Sequence, residues 1–99
     1  MKLILLNGPN LNLLGTREKD KYGLITLPII EESLTEKAKK NDIEVISFQS
    51  NHEGAIIDFL HKMRNEANFM IFNPGAFTHT SIAIRDAILA IQIPFIEVH

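Results

Sequence analysis

The sequence predicts a single α/β domain built on a parallel sheet, and three observations carry that prediction. Short apolar runs of strand length alternate with stretches of helical periodicity. Three of the four apolar runs are nearly unbroken, as strands are when both faces of their sheet are covered. Polar, titratable and Gly-Pro residues gather just after the runs, which places them at one end of the sheet.

The elements follow in order. The first strand is expected from Lys2 to Leu6, and Asn7 ends it. A long polar loop, opening NGPNLNLLGTRE, comes next. A first helix begins with Thr26 as N-cap and Pro28 in the first turn, where a missing N–H costs little. Leu27, Ile30, Leu34 and Ala38 recur along it at helical spacing. Glu31 and Glu32 stand early and Lys37, Lys39 and Lys40 late, as the helix dipole favours, and Asn41 closes it. The second strand, Ile43 to Phe48, is the mixed one. The second helix spans about Glu53 to Asn65, with Ile56, Leu60, Met63 and Ala67 as its stripe. Phe69 to Phe72 form the third strand. The third helix runs from Ser81 to Ile91, capped by Thr80, with Ile84, Ala87, Ile88 and Ile91 facing inward. Pro94 separates it from the fourth strand, Phe95 to Val98. Strands alternating with helices imply right-handed crossovers. Ligands of such sheets bind outside the carboxyl ends of the strands.

The totals narrow the function. With 99 residues the chain makes one domain, and 45% hydrophobic with 22% charged content is an ordinary globular balance. With a net charge of −2, nothing argues for a nucleic-acid surface, and no nucleic-acid partner is expected. The absence of cysteine excludes a disulfide scaffold, a cysteine-based zinc site and a thiol nucleophile. No apolar run is long enough to span a bilayer and the N-terminus lacks a signal-peptide pattern. The expected location is therefore the cytoplasm, with no membrane partner. The histidines form no metal pattern, and Gly8 to Gly15 has neither the spacing nor the Lys-Ser/Thr of a phosphate loop.

What remains is a set of side chains after the strands. Glu97 and His99, two apart in an extended segment, point to one side. A carboxylate there can fix the tautomer of an imidazole; a merely polar end to an edge strand is the competing reading. Arg17 and Tyr22 share the first loop. Tyrosine titrates near about 10, so a tyrosine base needs a cation such as Arg17 close by; an exposed loop tyrosine is the alternative. Asn7, Asn10, Asn12 and Asn73 offer neutral donors and acceptors, either to the turns themselves or to an oxyanion or bound water. Asn73-Pro74-Gly75-Ala76 brings backbone N–H groups to the start of the third helix, where an anion is favoured, with His79 and Thr80 beside it. Arg85 and Asp86 lie off the apolar stripe and read as solvated or as a subunit contact, while His52 and His61 read as surface or capping residues.

Taken together, the motifs resemble a known family. Asn7-Gly8-Pro9-Asn10-Leu11-Asn12-Leu13-Leu14-Gly15, then Arg17-Glu18 and Tyr22-Gly23, is similar to the opening of the type II 3-dehydroquinate dehydratases. The stretch from Asn73 to Ser81, NPGAFTHTS, resembles their second signature, and Ile96-Glu97-Val98-His99 their third; Gln49 to Gly54 also fits. The resemblance covers essentially the whole chain. It implies a flavodoxin-like three-layer fold with strand order 2-1-3-4. It also implies dehydration of 3-dehydroquinate to 3-dehydroshikimate through an enolate in the shikimate pathway, with no metal, Schiff base or other cofactor. In that scheme Tyr22 is the base, and Arg17 lowers its pKa and helps hold the enolate. Asn10, with backbone around Pro9 and Ala76, positions a water on the enolate oxygen. His99, oriented by Glu97, protonates the departing hydroxyl. Asn73 and His79 bind substrate, Asp86 reaches a neighbouring subunit's site, and trimers assemble into dodecamers.

The pattern departs from the family in two places. Lys19 stands where a proline is common. Beyond His99 the resemblance implies a Leu-Ser-Asn stretch that contacts the substrate carboxylate, an arginine-bearing segment, a fifth strand and a last helix. Without them, one face of the third and fourth strands is expected to be uncovered and one edge unpaired, which predicts weak stability or aggregation. The competing function is a flavodoxin-like binding or assembly module derived from the enzyme, without turnover; a flavin-binding module is a more distant third.

Overall fold

In the computed structural model, which describes residues 1–16, 25–77 and 81–99, the four strands form one parallel sheet. The elements are β1 (Lys2–Asn7), α1 (Leu27–Lys39), β2 (Glu44–Gln49), α2 (Glu53–Met63), β3 (Phe69–Asn73), α3 (Ile82–Ile91) and β4 (Phe95–Glu97). Single 3-10 turns at Leu11–Leu13 and Gly75–Phe77 follow β1 and β3. The strand order is β2-β1-β3-β4, the order that the resemblance implied.

Register shows which side chains share a face. Leu6 pairs with Phe72, and Phe72 with Glu97; Asn7 pairs with both Gln49 and Asn73. Ile4, Leu6, Met70 and Phe72 are sealed against Ile56, Leu60 and Met63 of α2 and Ile84, Ala87, Ile88 and Ile91 of α3. Helices α2 and α3 therefore share one face, and Glu97 leaves β4 on that side. The opposite face carries Leu5 and Ile71, with α1 packed over β2. Leu27 of α1 is buried, but Ile29 is 51% exposed, and Ile96 of β4 is 50% exposed.

Several boundaries differ from expectation by a residue or two. Asn7 and Asn73 are the last residues of their strands, because both still pair in the ladder. Helix α1 ends at Lys39, and Asp42, not Asn41, takes the left-handed conformation that turns the chain. Helix α2 ends at Met63, and Asn65 is left-handed just beyond it. The cap of α3 is Ser81, whose hydroxyl accepts from the Ile84 N–H at 3.1 Å; Thr80, expected there, lies outside the described residues. Thr26 caps α1 as expected, accepting from the Ile29 N–H. Strand β4 stops at Glu97, although the Val98 N–H still donates to the Phe72 carbonyl at 2.8 Å.

Candidate active site

All four strands point their carboxyl ends the same way, so Asn7, Gln49, Asn73 and Glu97 terminate along one rim. The loops leaving β1 and β3 are joined there, backbone to backbone. The Gly8 N–H donates to the Asn73 carbonyl at 2.8 Å. A Cβ added at Gly8 would stand 2.2 Å from the Pro74 carbonyl oxygen, and one at Gly75 would stand 2.7 Å from that of Pro9. Only glycine permits that approach, and Gly75 also has φ of 57°. Pro9, Asn10 and Ala76 are thereby brought into one small region. Asn73 holds its own turn, its Oδ1 accepting from the Gly75 N–H at 3.1 Å.

Asn10 is held from the β2 side. It adopts a left-handed backbone, φ 68°, and its N–H donates to Asn51 Oδ1 at 2.9 Å. Gln49 Nε2 donates to the same Asn51 oxygen and to the Gly8 carbonyl, each at 3.1 Å. The Ser50 N–H reaches the Asn7 carbonyl at 3.2 Å. Neutral amides thus clamp the first loop between the ends of β2 and β3. A side chain at Gly15 would meet the Ile25 carbonyl oxygen at 2.6 Å, so Gly15 and Ile25 lie backbone against backbone beside α1. Arg17 and Tyr22 belong to residues 17–24, and His79 to residues 78–80; all three lie outside the described residues.

At the other end of the rim, His99 Nε2 lies 3.1 Å from Glu97 Oε2. The second carboxylate oxygen, Oε1, is buried and stands 3.2 Å from Arg85 Nη2. That contact is an ion pair without hydrogen-bond alignment, so among the described residues Oε1 has charge compensation but no directed donor. Asp86, the next residue on α3, is exposed. Among the described residues no three His, Cys, Asp or Glu side chains cluster as a metal ion would require. No helix among them is long and apolar enough to cross a membrane.

Asn7 and Asn73 also border an open cleft of about 310 Å³ on the α1 face, between α1 and β3. Its floor is apolar, made by Leu5, Ile71 and Val98 with Leu27 and Ile30 of α1. The rim therefore has two sides. The asparagines border the α1 side, and the Glu97–His99 pair stands on the α3 side.

The structure gives Gln49, Asn51 and Arg85 roles that the sequence did not assign to them; Arg85, expected to be solvated or a subunit contact, pairs with Glu97. Gln49 and Asn51 act on Asn10 through space, and no local pattern announces them. Arg85 was legible: Glu97 alternates toward the α2–α3 face, and Arg85 is the one cation in α3. Ser81 Oγ also donates to Glu53 Oε2, tying the starts of α2 and α3 together.

With the geometry in place, the chain can be set beside known proteins. The family described as Dehydroquinase class II matches residues 1–99. Catabolic 3-dehydroquinase 2 of Neosartorya fischeri is 56% identical over 97 residues, covering 98% of this chain and 65% of that protein. The 3-dehydroquinate dehydratase of Buchnera aphidicola subsp. Acyrthosiphon pisum is 54% identical, and the chain covers 66% of its length. The crystal structure of type II dehydroquinase from Butyrivibrio crossotus superposes with a TM-score of 0.93 at 48% identity, covering all of this chain and 70% of that one.

Proposed function

The chain belongs to the class II dehydroquinase family, and from that premise we propose that it dehydrates 3-dehydroquinate to 3-dehydroshikimate in the shikimate pathway, toward the aromatic amino acids. The substrate is a β-hydroxy ketone, so elimination proceeds through removal of the proton alpha to the ketone. Tyr22 takes that proton, and the electron pair passes into an enolate. Arg17 supplies the positive charge that makes a phenolate base accessible near neutral pH. Asn10, with the backbone of Pro9 and Ala76, holds a water on the enolate oxygen. When the enolate collapses, the β-hydroxyl leaves as water, taking its proton from His99, and proton return from Tyr22 to His99 resets the site. Asn73 and His79 bind substrate. Asp86 reaches the site of a neighbouring subunit in a dodecamer of trimers, and the enzyme works in the cytoplasm without a metal or organic cofactor.

The reading rests most on one observation: a Glu97–His99 pair ends β4 on the same rim as the joined Gly8–Asn10 and Asn73–Ala76 loops. Placement along one rim is what an acid and an oxyanion site that share a substrate require. The test is direct. Incubation of the purified chain with 3-dehydroquinate should raise the enone absorbance of the product, and Tyr22→Phe should abolish the rise. Saturable binding without turnover would instead identify a binding module.

A further inference from the structure

The geometry points to Arg85 as a positioning residue for His99 that acts through Glu97; it rests on the proposed dehydration, which makes His99 the acid. Glu97 is the link. One oxygen, Oε2, meets the imidazole at Nε2, leaving Nδ1 on the far side of the ring. The other, Oε1, has no exposed surface and, among the described residues, no hydrogen-bond donor. Its surroundings are set by the sheet: Phe72 is the register neighbour of Glu97 on β3, and α3 covers that face with Ile84, Ala87 and Ile88. A carboxylate oxygen against such a wall requires a nearby positive charge. Arg85 Nη2, 3.2 Å away, provides it.

The consequence for His99 is geometric. With the guanidinium on Oε1, the carboxylate plane is held and Oε2 stays on the imidazole. Without it, the carboxylate does better by turning Oε1 out to water, which gives up the contact with Nε2. Arginine suits the task because its charge is permanent and its side chain reaches from the helix to the strand end. Arg85 acts here through the Glu97 carboxylate, so its effect should appear in turnover and not in substrate affinity.

Kinetics of Arg85→Met, Arg85→Lys, Glu97→Gln and the Arg85→Met/Glu97→Gln double variant in the full chain test this. We expect Arg85→Met to lower kcat by roughly tenfold to a hundredfold, the scale of a small misplacement of a reacting group, with KM little changed. Arg85→Lys, which keeps a charge, should recover most of the loss. The double variant should be no slower than Glu97→Gln alone. Independent losses that multiply in the double variant, or a change confined to KM, overturn the proposal. Nitrogen NMR of the His99 ring gives a second readout that needs no turnover: Arg85→Met should move the Nε2 signal as Glu97→Gln does. An unmoved signal overturns the proposal even if the enzyme turns over. A chain that does not turn over at all removes the dehydration reading, while the ring signal still decides whether Arg85 holds Glu97 on His99.

Discussion

At the scale of the residue, the site is organised by atoms that are missing as much as by those present. Gly8 has no side chain because the Pro74 carbonyl occupies the space where one would be. Substituting Gly8→Ala should therefore act as overpacking between two backbones, which cannot rotate away as a side chain would. We expect a loss of about 1–3 kcal/mol in folding stability, read from the urea midpoint, and displacement of the Asn10 loop. A variant with the parental midpoint would mean that the two loops are not joined as described. The sequence suggested this junction only in outline, because a Gly-Pro pair after a strand signals a turn but not the neighbour that the turn must accommodate. Asn51 is a sharper case. It reads as one more polar loop residue, yet its side-chain oxygen accepts from both Gln49 and the Asn10 backbone. Contacts across some forty residues of chain leave no local signature, whereas Glu97 and His99, two positions apart, could be paired from strand alternation alone.

At the scale of the element, the helices and strands were legible because their apolar periods differ, and their ends were less so because single residues set them. Asn65 is a residue type that tolerates a left-handed backbone, but Asp42 and Gln92 take the same conformation with weaker claims to it. Ser81 shows how one residue can serve two elements. It caps α3 through the Ile84 N–H and donates to Glu53 in the first turn of α2. Ser81→Ala should cost about 1–2 kcal/mol, since the cap is lost and Glu53 loses its hydroxyl partner together. Two further variants separate the roles. Ser81→Asn keeps an acceptor for the cap and a donor for Glu53, and should recover most of the stability. Ser81→Asp keeps the cap but sets a carboxylate against Glu53, and should recover less. Equal thermal midpoints for Asn and Asp would show that the Glu53 contact contributes nothing.

At the scale of the whole molecule, the two faces of the sheet are unequal. Helices α2 and α3 seal one face around Leu6 and Phe72, whereas among the described residues α1 packs chiefly over β2 on the other and leaves a cleft toward β3. Ile96 and Val98 of the β4 end lie toward the open cleft side, and among the described residues β4 pairs only with β3. An apolar strand with a free edge and a half-open face is a surface that joins to copies of itself. The 99-residue chain should accordingly sediment as associated species at micromolar concentration, with a distribution that grows with loading. Ile96→Lys places a charge on that open face, where it obstructs pairing without touching the sealed core, and should shift the distribution toward smaller species. If the parental chain sediments as one monomer at every concentration, the exposed face is not adhesive. If it forms one closed assembly of fixed mass that Ile96→Lys leaves intact, association proceeds through other surfaces, and the α3 face that carries Asp86 becomes the place to look.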